Sequence, residues 1–153
     1  MTAADEPSLK LDDQVCFALY AASRAVTGFY RPLLDKLGLT YPQYLVLLAL
    51  WENGACPVKD LGAALQLDYG TLSPLLKRLE KAGLVRRERR LDDERSVLVT
   101  VTEEGAALRE KALELPPVLG PAMGLEAAEF DQLKAMLRKL TLSVVHHTEQ
   151  RSA

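Results

Sequence analysis

The sequence predicts a mainly α, α+β fold: a winged helix-turn-helix domain with N- and C-terminal helices forming a dimerisation region. Three observations carry this. Val58, Leu61 and Leu65, then Leu72, Leu75, Leu76 and Leu79, recur at 3.6-residue spacing on either side of a polar turn. After Gly83 the period changes, and Val85–Arg90 and Ser96–Val101 read as strands around the charged turn Leu91-Asp92-Asp93-Glu94. Positive charge gathers on the same stretch. Residues 71–95 hold eight Lys/Arg against five acids, a balance of +3, whereas 1–70 carry −3 and 102–153 carry −2. The cations thus sit on the one element with a shape suited to phosphate.

The chain of 153 residues fits a single domain, with dimerisation helices over about 9–35 and 103–148 and the winged helix-turn-helix over about 55–101. A hydrophobic share of 48% beside 26% charged residues is that of a soluble globular protein, and no apolar run is long enough for a membrane span. The acidic, polar first dozen residues do not read as a signal peptide. Cys16 and Cys56 make neither a disulfide scaffold nor a metal-ligand pattern, so a reducing, cytoplasmic setting without metal or cofactor is expected. A pI near 5.7 argues for local rather than indiscriminate nucleic-acid binding.

From about Asp12 a long amphipathic helix is expected, capped by Asp12 or Asp13, with Val15, Leu19, Ala22, Val26 and Phe29/Tyr30 along one stripe. Arg31-Pro32 is expected to kink it or to start a new helix. The next helix, Pro42 to about Glu52, is expected to bury Tyr44, Leu47, Leu48 and Trp51 and to end at Asn53-Gly54. In the helix-turn-helix, Gly83 stops the second helix because the residue past a helix end often needs positive φ. Beyond the wing, Thr102 caps a helix whose first turn holds Glu103 and Glu104, running to about Leu115. The proline-rich 116–121 breaks it. A last helix, roughly Glu126–His147, carries Phe130, Leu133, Met136, Leu137, Leu140 and Val144 on one side.

The second helix of a helix-turn-helix enters the major groove, which places Tyr69, Gly70, Thr71, Ser73, Pro74, Lys77 and Arg78 against double-stranded DNA. Arg86 and Arg87 read as phosphate contacts, and Arg95 as a minor-groove arginine held by Asp93. The apolar stripes of the terminal helices exceed what a small winged-helix core covers. A homodimer matches the two-fold logic of a palindromic operator.

The order of helices, the DDERS run at 92–96 and the TEEG at 102–105 resemble the MarR family of bacterial regulators. Residues 15–52 (VCFALYAASRAVTGFYRPLLDKLGLTYPQYLVLLALWE) and 67–85 (LDYGTLSPLLKRLEKAGLV) resemble its organic hydroperoxide resistance repressors, the OhrR branch. The resemblance covers about Leu11 to Leu115. It places Cys16, Tyr30 and Tyr41 where that branch has its sensing cysteine and two tyrosines. It implies a repressor and not an enzyme. The reduced protein binds its operator, and an organic hydroperoxide oxidises Cys16 to a sulfenic acid that releases it. Residues 112–153 hold no cysteine, so the chain resembles the one-cysteine type, whose sulfenic acid forms a mixed disulfide with a small cellular thiol.

The residues themselves allow two other readings. A thiolate near a helix start is favoured by unpaired N–H groups, but Asp12 and Asp13 oppose this. Hydroxyls of Tyr30 and Tyr41 favour a thiolate only if the fold brings them to it. One alternative is a regulator of the same family responding to a small aromatic or phenolic ligand, with Cys16 as packing. The other, a thiol peroxidase, lacks a resolving cysteine and an evident base.

Overall fold

The computed structural model describes residues 6–90 and 93–153; the side chains of residues 90–95 fall outside that description. Two compact units emerge, Met1–Leu115 and Pro116–Ala153.

In the first unit, α1 (Val15–Asp35) follows a single 3-10 turn at Leu11–Asp13. Neither Asp12 nor Asp13 caps this helix. Asp12 and Asp13 lie in the 3-10 turn, where the Asp13 carboxylate accepts from the Ser8 hydroxyl, and the N-cap of α1 is Gln14 without a side-chain cap. Pro32 neither ends nor restarts the helix. It sits three residues from the end of α1, where only the Gly28 carbonyl loses an N–H partner.

Helix α2 (Tyr41–Asn53) starts at a capping box: Thr40 Oγ1 accepts from the Gln43 N–H, and Gln43 Oε1 accepts from the Thr40 N–H. It stops at Gly54, φ +76°. Its buried residues are Tyr44, Val46, Leu47 and Leu50. Leu48, expected inside, is exposed, and Trp51 is half-buried. This helix is apolar nearly all round, so periodicity alone does not choose its inner face.

Helices α3 (Val58–Leu65) and α4 (Tyr69–Lys81) form the helix-turn-helix, followed by β2 (Val85–Arg90) and β3 (Asp93–Val101). A short strand that the sequence reading missed, β1 (Ala55–Pro57), pairs with β3 and gives the antiparallel order β1-β3-β2. Cys56 is buried on β1 opposite Val99. The core is aliphatic: Leu34, Leu47, Leu50, Leu61, Leu72, Leu76, Leu79, Val85 and Val99 are almost fully buried.

The base of the wing is stitched to the next helix, α5 (Glu103–Ala112). Thr102 caps α5 by accepting from the Gly105 N–H, donates its hydroxyl to the Gly83 carbonyl at 2.6 Å, and gives its N–H to the Leu84 carbonyl. Trp51 Nε1 donates to the Gly105 carbonyl at 2.9 Å. A Cβ on Gly105 would lie 2.2 Å from the Leu84 carbonyl oxygen, so the TEEG glycine serves a close backbone approach.

The prolines of 116–121 do not break the chain into a loop: α6 spans Leu115–Ala122. Pro116 and Pro117 fill its first turn, where N–H groups have no helical partner anyway. In the second unit α7 (Ala127–Ser152) opens on a Glu126/Glu129 capping box, and none of its residues is buried. No helix of the described residues is long and apolar enough to cross a membrane.

Candidate nucleic-acid interface and thiol site

The sequence of α4 divides it into an anchored face and a free face. Leu72, Leu75, Leu76 and Leu79 are buried, while Tyr69, Gly70, Thr71, Pro74, Lys77 and Arg78 are exposed and Ser73 is half-buried. Asp68 caps the helix by accepting from the Thr71 N–H at 2.7 Å, and that bond holds its carboxyl below the usual range. Pro74 has no N–H, so the Gly70 carbonyl has no helical partner on this exposed side. The residues read as DNA contacts therefore lie together on one surface of a well-anchored helix.

In the wing, Arg86 is exposed. Arg87 is half-buried, its N–H and guanidinium both donating to the Glu80 carboxylate, at 3.0 and 3.1 Å. This clamp ties the last turn of α4 to β2 and holds the Glu80 carboxyl below its ordinary value. Arg87 thus joins α4 to the wing. Asp93 and Arg95 have side chains outside the described residues.

At the other end of the unit, the structure gathers the tyrosines but does not bring them to the cysteine of the same chain. The Tyr30 and Tyr41 rings are 5.0 Å apart, and Tyr44, which the sequence reading treated as core alone, lies 5.7 Å from Tyr30. Burial, then the neighbouring Tyr44 and Tyr41, push the Tyr30 hydroxyl up to about 12, and burial raises those of Tyr41 and Tyr44. All three are held as neutral hydrogen-bond donors. Cys16 is exposed in the first turn of α1, fourteen positions before Tyr30 on the same helix. At 1.5 Å per residue that is about 21 Å along the axis. No rotamer spans it. Cys56 is a different thiol: buried, beside the Pro57 carbonyl, and pushed up by burial and by Asp60.

Sequence reasoning also missed a cleft of about 510 Å3 between α1 and the start of α2, lined by Arg24, Arg31, Asp35 and Tyr41 among others. The signal was present, since Arg24, Thr27, Gly28, Arg31 and Asp35 share one helical face.

Comparison with known proteins decides the family. The family model described as transcriptional regulator SarA/Rot matches residues 28–112. An organic hydroperoxide resistance transcriptional regulator of Bacillus subtilis (strain 168) is 52% identical over 128 residues, covering 84% of this chain and 85% of that protein. The chain belongs to the MarR family, in its organic hydroperoxide resistance branch. Among solved MarR-type folds it is similar to reduced AbfR bound to DNA, with a TM-score of 0.76 and 38% identity, covering 89% of this chain and 93% of that one. AbfR, from Staphylococcus epidermidis, has also been solved in a disulfide form, to which the TM-score is 0.62 at 37% identity, over 91% and 92% of the two chains.

Proposed function

We propose that the protein is a dimeric repressor that binds operator DNA when reduced and releases it when an organic hydroperoxide oxidises Cys16. The observation that carries this is Cys16 itself. It stands exposed at the start of α1, in a chain 52% identical to an organic hydroperoxide resistance regulator and similar in fold to a reduced regulator bound to DNA. The thiol lies outside the core of its own chain, where a peroxide can reach it.

The chemistry needs no cofactor. The Cys16 thiolate attacks one peroxide oxygen; an S–O bond forms, the O–O bond breaks, and the alkoxide takes a proton and leaves as an alcohol. A small cellular thiol then converts the sulfenic acid to a mixed disulfide. On DNA, the exposed face of α4 meets the major groove, with Lys77, Arg78 and Arg86 neutralising phosphate.

The tyrosines act across the dimer. Since Tyr30 and Tyr41 are out of reach of Cys16 in their own chain, hydroxyls that hydrogen-bond the thiolate come from the partner subunit. Exposed apolar groups favour such a dimer: Val15, Phe17 and Tyr20 on α1, and Phe130, Leu133, Leu137 and Leu140 on α7. Oxidation of the thiolate removes the acceptor of those hydrogen bonds, a local change at a subunit boundary able to reset the spacing of the two α4 helices.

Mixed dimers test this. One subunit carries Cys16→Ser with native tyrosines; the other keeps Cys16 and carries Tyr30→Phe and Tyr41→Phe. That dimer responds to hydroperoxide like wild type if the tyrosines act in trans. Loss of the response contradicts the arrangement.

A further inference from the structure

We infer that the cleft beside Tyr41 binds the carboxylate of the small thiol that resolves oxidised Cys16. The inference rests on the reading above, in which the tyrosine pair of one subunit faces the partner subunit's Cys16. The cleft shares Tyr41 with that pair, so a molecule held in it sits beside the sulfur it must reach.

Three features make the cleft an anion site. Arg24 and Arg31 both line it, two turns apart on α1, and neither is within ion-pair distance of a carboxylate among the described residues. Arg24 is positioned by the Tyr20 ring, 5.6 Å from its guanidinium carbon. The start of α2 forms the opposite wall. Its dipole favours negative charge, and Tyr41 keeps a backbone N–H without a partner among the described residues. One acid, Asp35, also lines the cleft, and two guanidiniums outweigh it. A volume of about 510 Å3 admits a small thiol.

The step balances. The thiol sulfur attacks the sulfenyl sulfur of Cys16; an S–S bond forms, the S–O bond breaks, and the hydroxyl leaves with the thiol proton as water. A guanidinium-held carboxylate contributes by raising the local concentration of the attacking group. A hydroperoxide bearing a carboxylate offers the same handle, and the test separates the two.

Sulfenic acid is generated at Cys16 with tert-butyl hydroperoxide and confirmed by dimedone trapping. Mixed-disulfide formation is then timed with 3-mercaptopropionate and with 2-mercaptoethanol, each rate corrected for its thiolate fraction. An exposed ion pair contributes a factor of about two to five, so two favour the carboxylate thiol by roughly four- to twenty-five-fold. That ratio falls to about one in Arg24→Gln/Arg31→Gln and shrinks in high salt. A ratio of one in wild type, or a ratio that survives in the double variant, overturns the proposal. A parallel arm compares sulfenic acid formation by a hydroperoxy acid and by tert-butyl hydroperoxide; a carboxylate preference confined to that step also overturns it, assigning the cleft to the peroxide. Absence of sulfenic acid at Cys16 removes the underlying reading and this inference together.

Discussion

Gly105→Ala is the most direct test of how the wing is fixed to the body. An alanine in the interior of a helix normally gains about 0.5–1 kcal/mol over glycine. Here the added Cβ would sit 2.2 Å from the Leu84 carbonyl oxygen and 2.6 Å from Val101 Cγ2, well inside the 3.0 Å that real Cβ atoms respect. The nearer obstacle is backbone, so α5 itself must move by most of an ångström. Overpacking of this kind costs about 1–3 kcal/mol, and displacing the Gly105 carbonyl weakens the Trp51 hydrogen bond by about a further 1 kcal/mol. The clash outweighs the propensity gain, leaving a net loss of about 2 kcal/mol, or roughly 4–8 °C in Tm for a chain of this size. Trp51 is the only tryptophan, so its fluorescence reports both unfolding and the local bond. Protein concentration must be matched, because a dimer's Tm depends on it. A variant as stable as wild type, with unchanged Trp51 emission, refutes the close-approach account.

Other consequences are simpler to state. Glu80→Gln removes a carboxyl held below its ordinary 4.5 by Arg87. A depressed folded value means stabilisation that is present above about pH 4.5 and lost as pH falls through the folded value. The variant is therefore less stable at neutral pH, by about 1 kcal/mol or less given the solvent exposure of the pair, and the difference vanishes in acid denaturation profiles. Lys77→Ala lowers the slope of log operator affinity against log salt by about one, measured by titration at several salt concentrations. Tyr30, raised to about 12, stays protonated through neutral pH; its stabilisation is complete below pH 10 and lost as pH rises through about 12, which phenolate absorbance follows. Tyr30→Phe keeps the fold but slows sulfenic acid formation at Cys16 about tenfold or more, the worth of one hydrogen bond to a charged sulfur.

Much of the DNA-binding half was legible in the sequence because its signals are local. The leucines of α4, the positive φ at Gly83 and the Thr102 cap each follow from spacing within a few residues. What escaped is set by distant partners. Strand β1 is three residues long and ends in proline, and only its pairing with β3, over forty residues later, makes it a strand. Arg87 looks like any other wing cation until Glu80 is seen across the corner. Prolines 116 and 117 read as breakers, yet at the start of α6 they occupy the positions a helix tolerates. The candidate thiol site is the instructive case. Family resemblance supplied Cys16, Tyr30 and Tyr41, and the tyrosines do meet, but the straight run of α1 keeps them from their own cysteine. Spacing along one helix, about 21 Å from Cys16 to Tyr30, is what the resemblance alone does not convey.

Operator binding should follow the oxidation state of Cys16. The decisive measurement is operator affinity of the reduced protein before and after one equivalent of organic hydroperoxide plus a small thiol, at fixed salt, beside Cys16→Ser. Wild type should release the DNA and Cys16→Ser should stay bound. If both stay bound, or both release, Cys16 is not the switch.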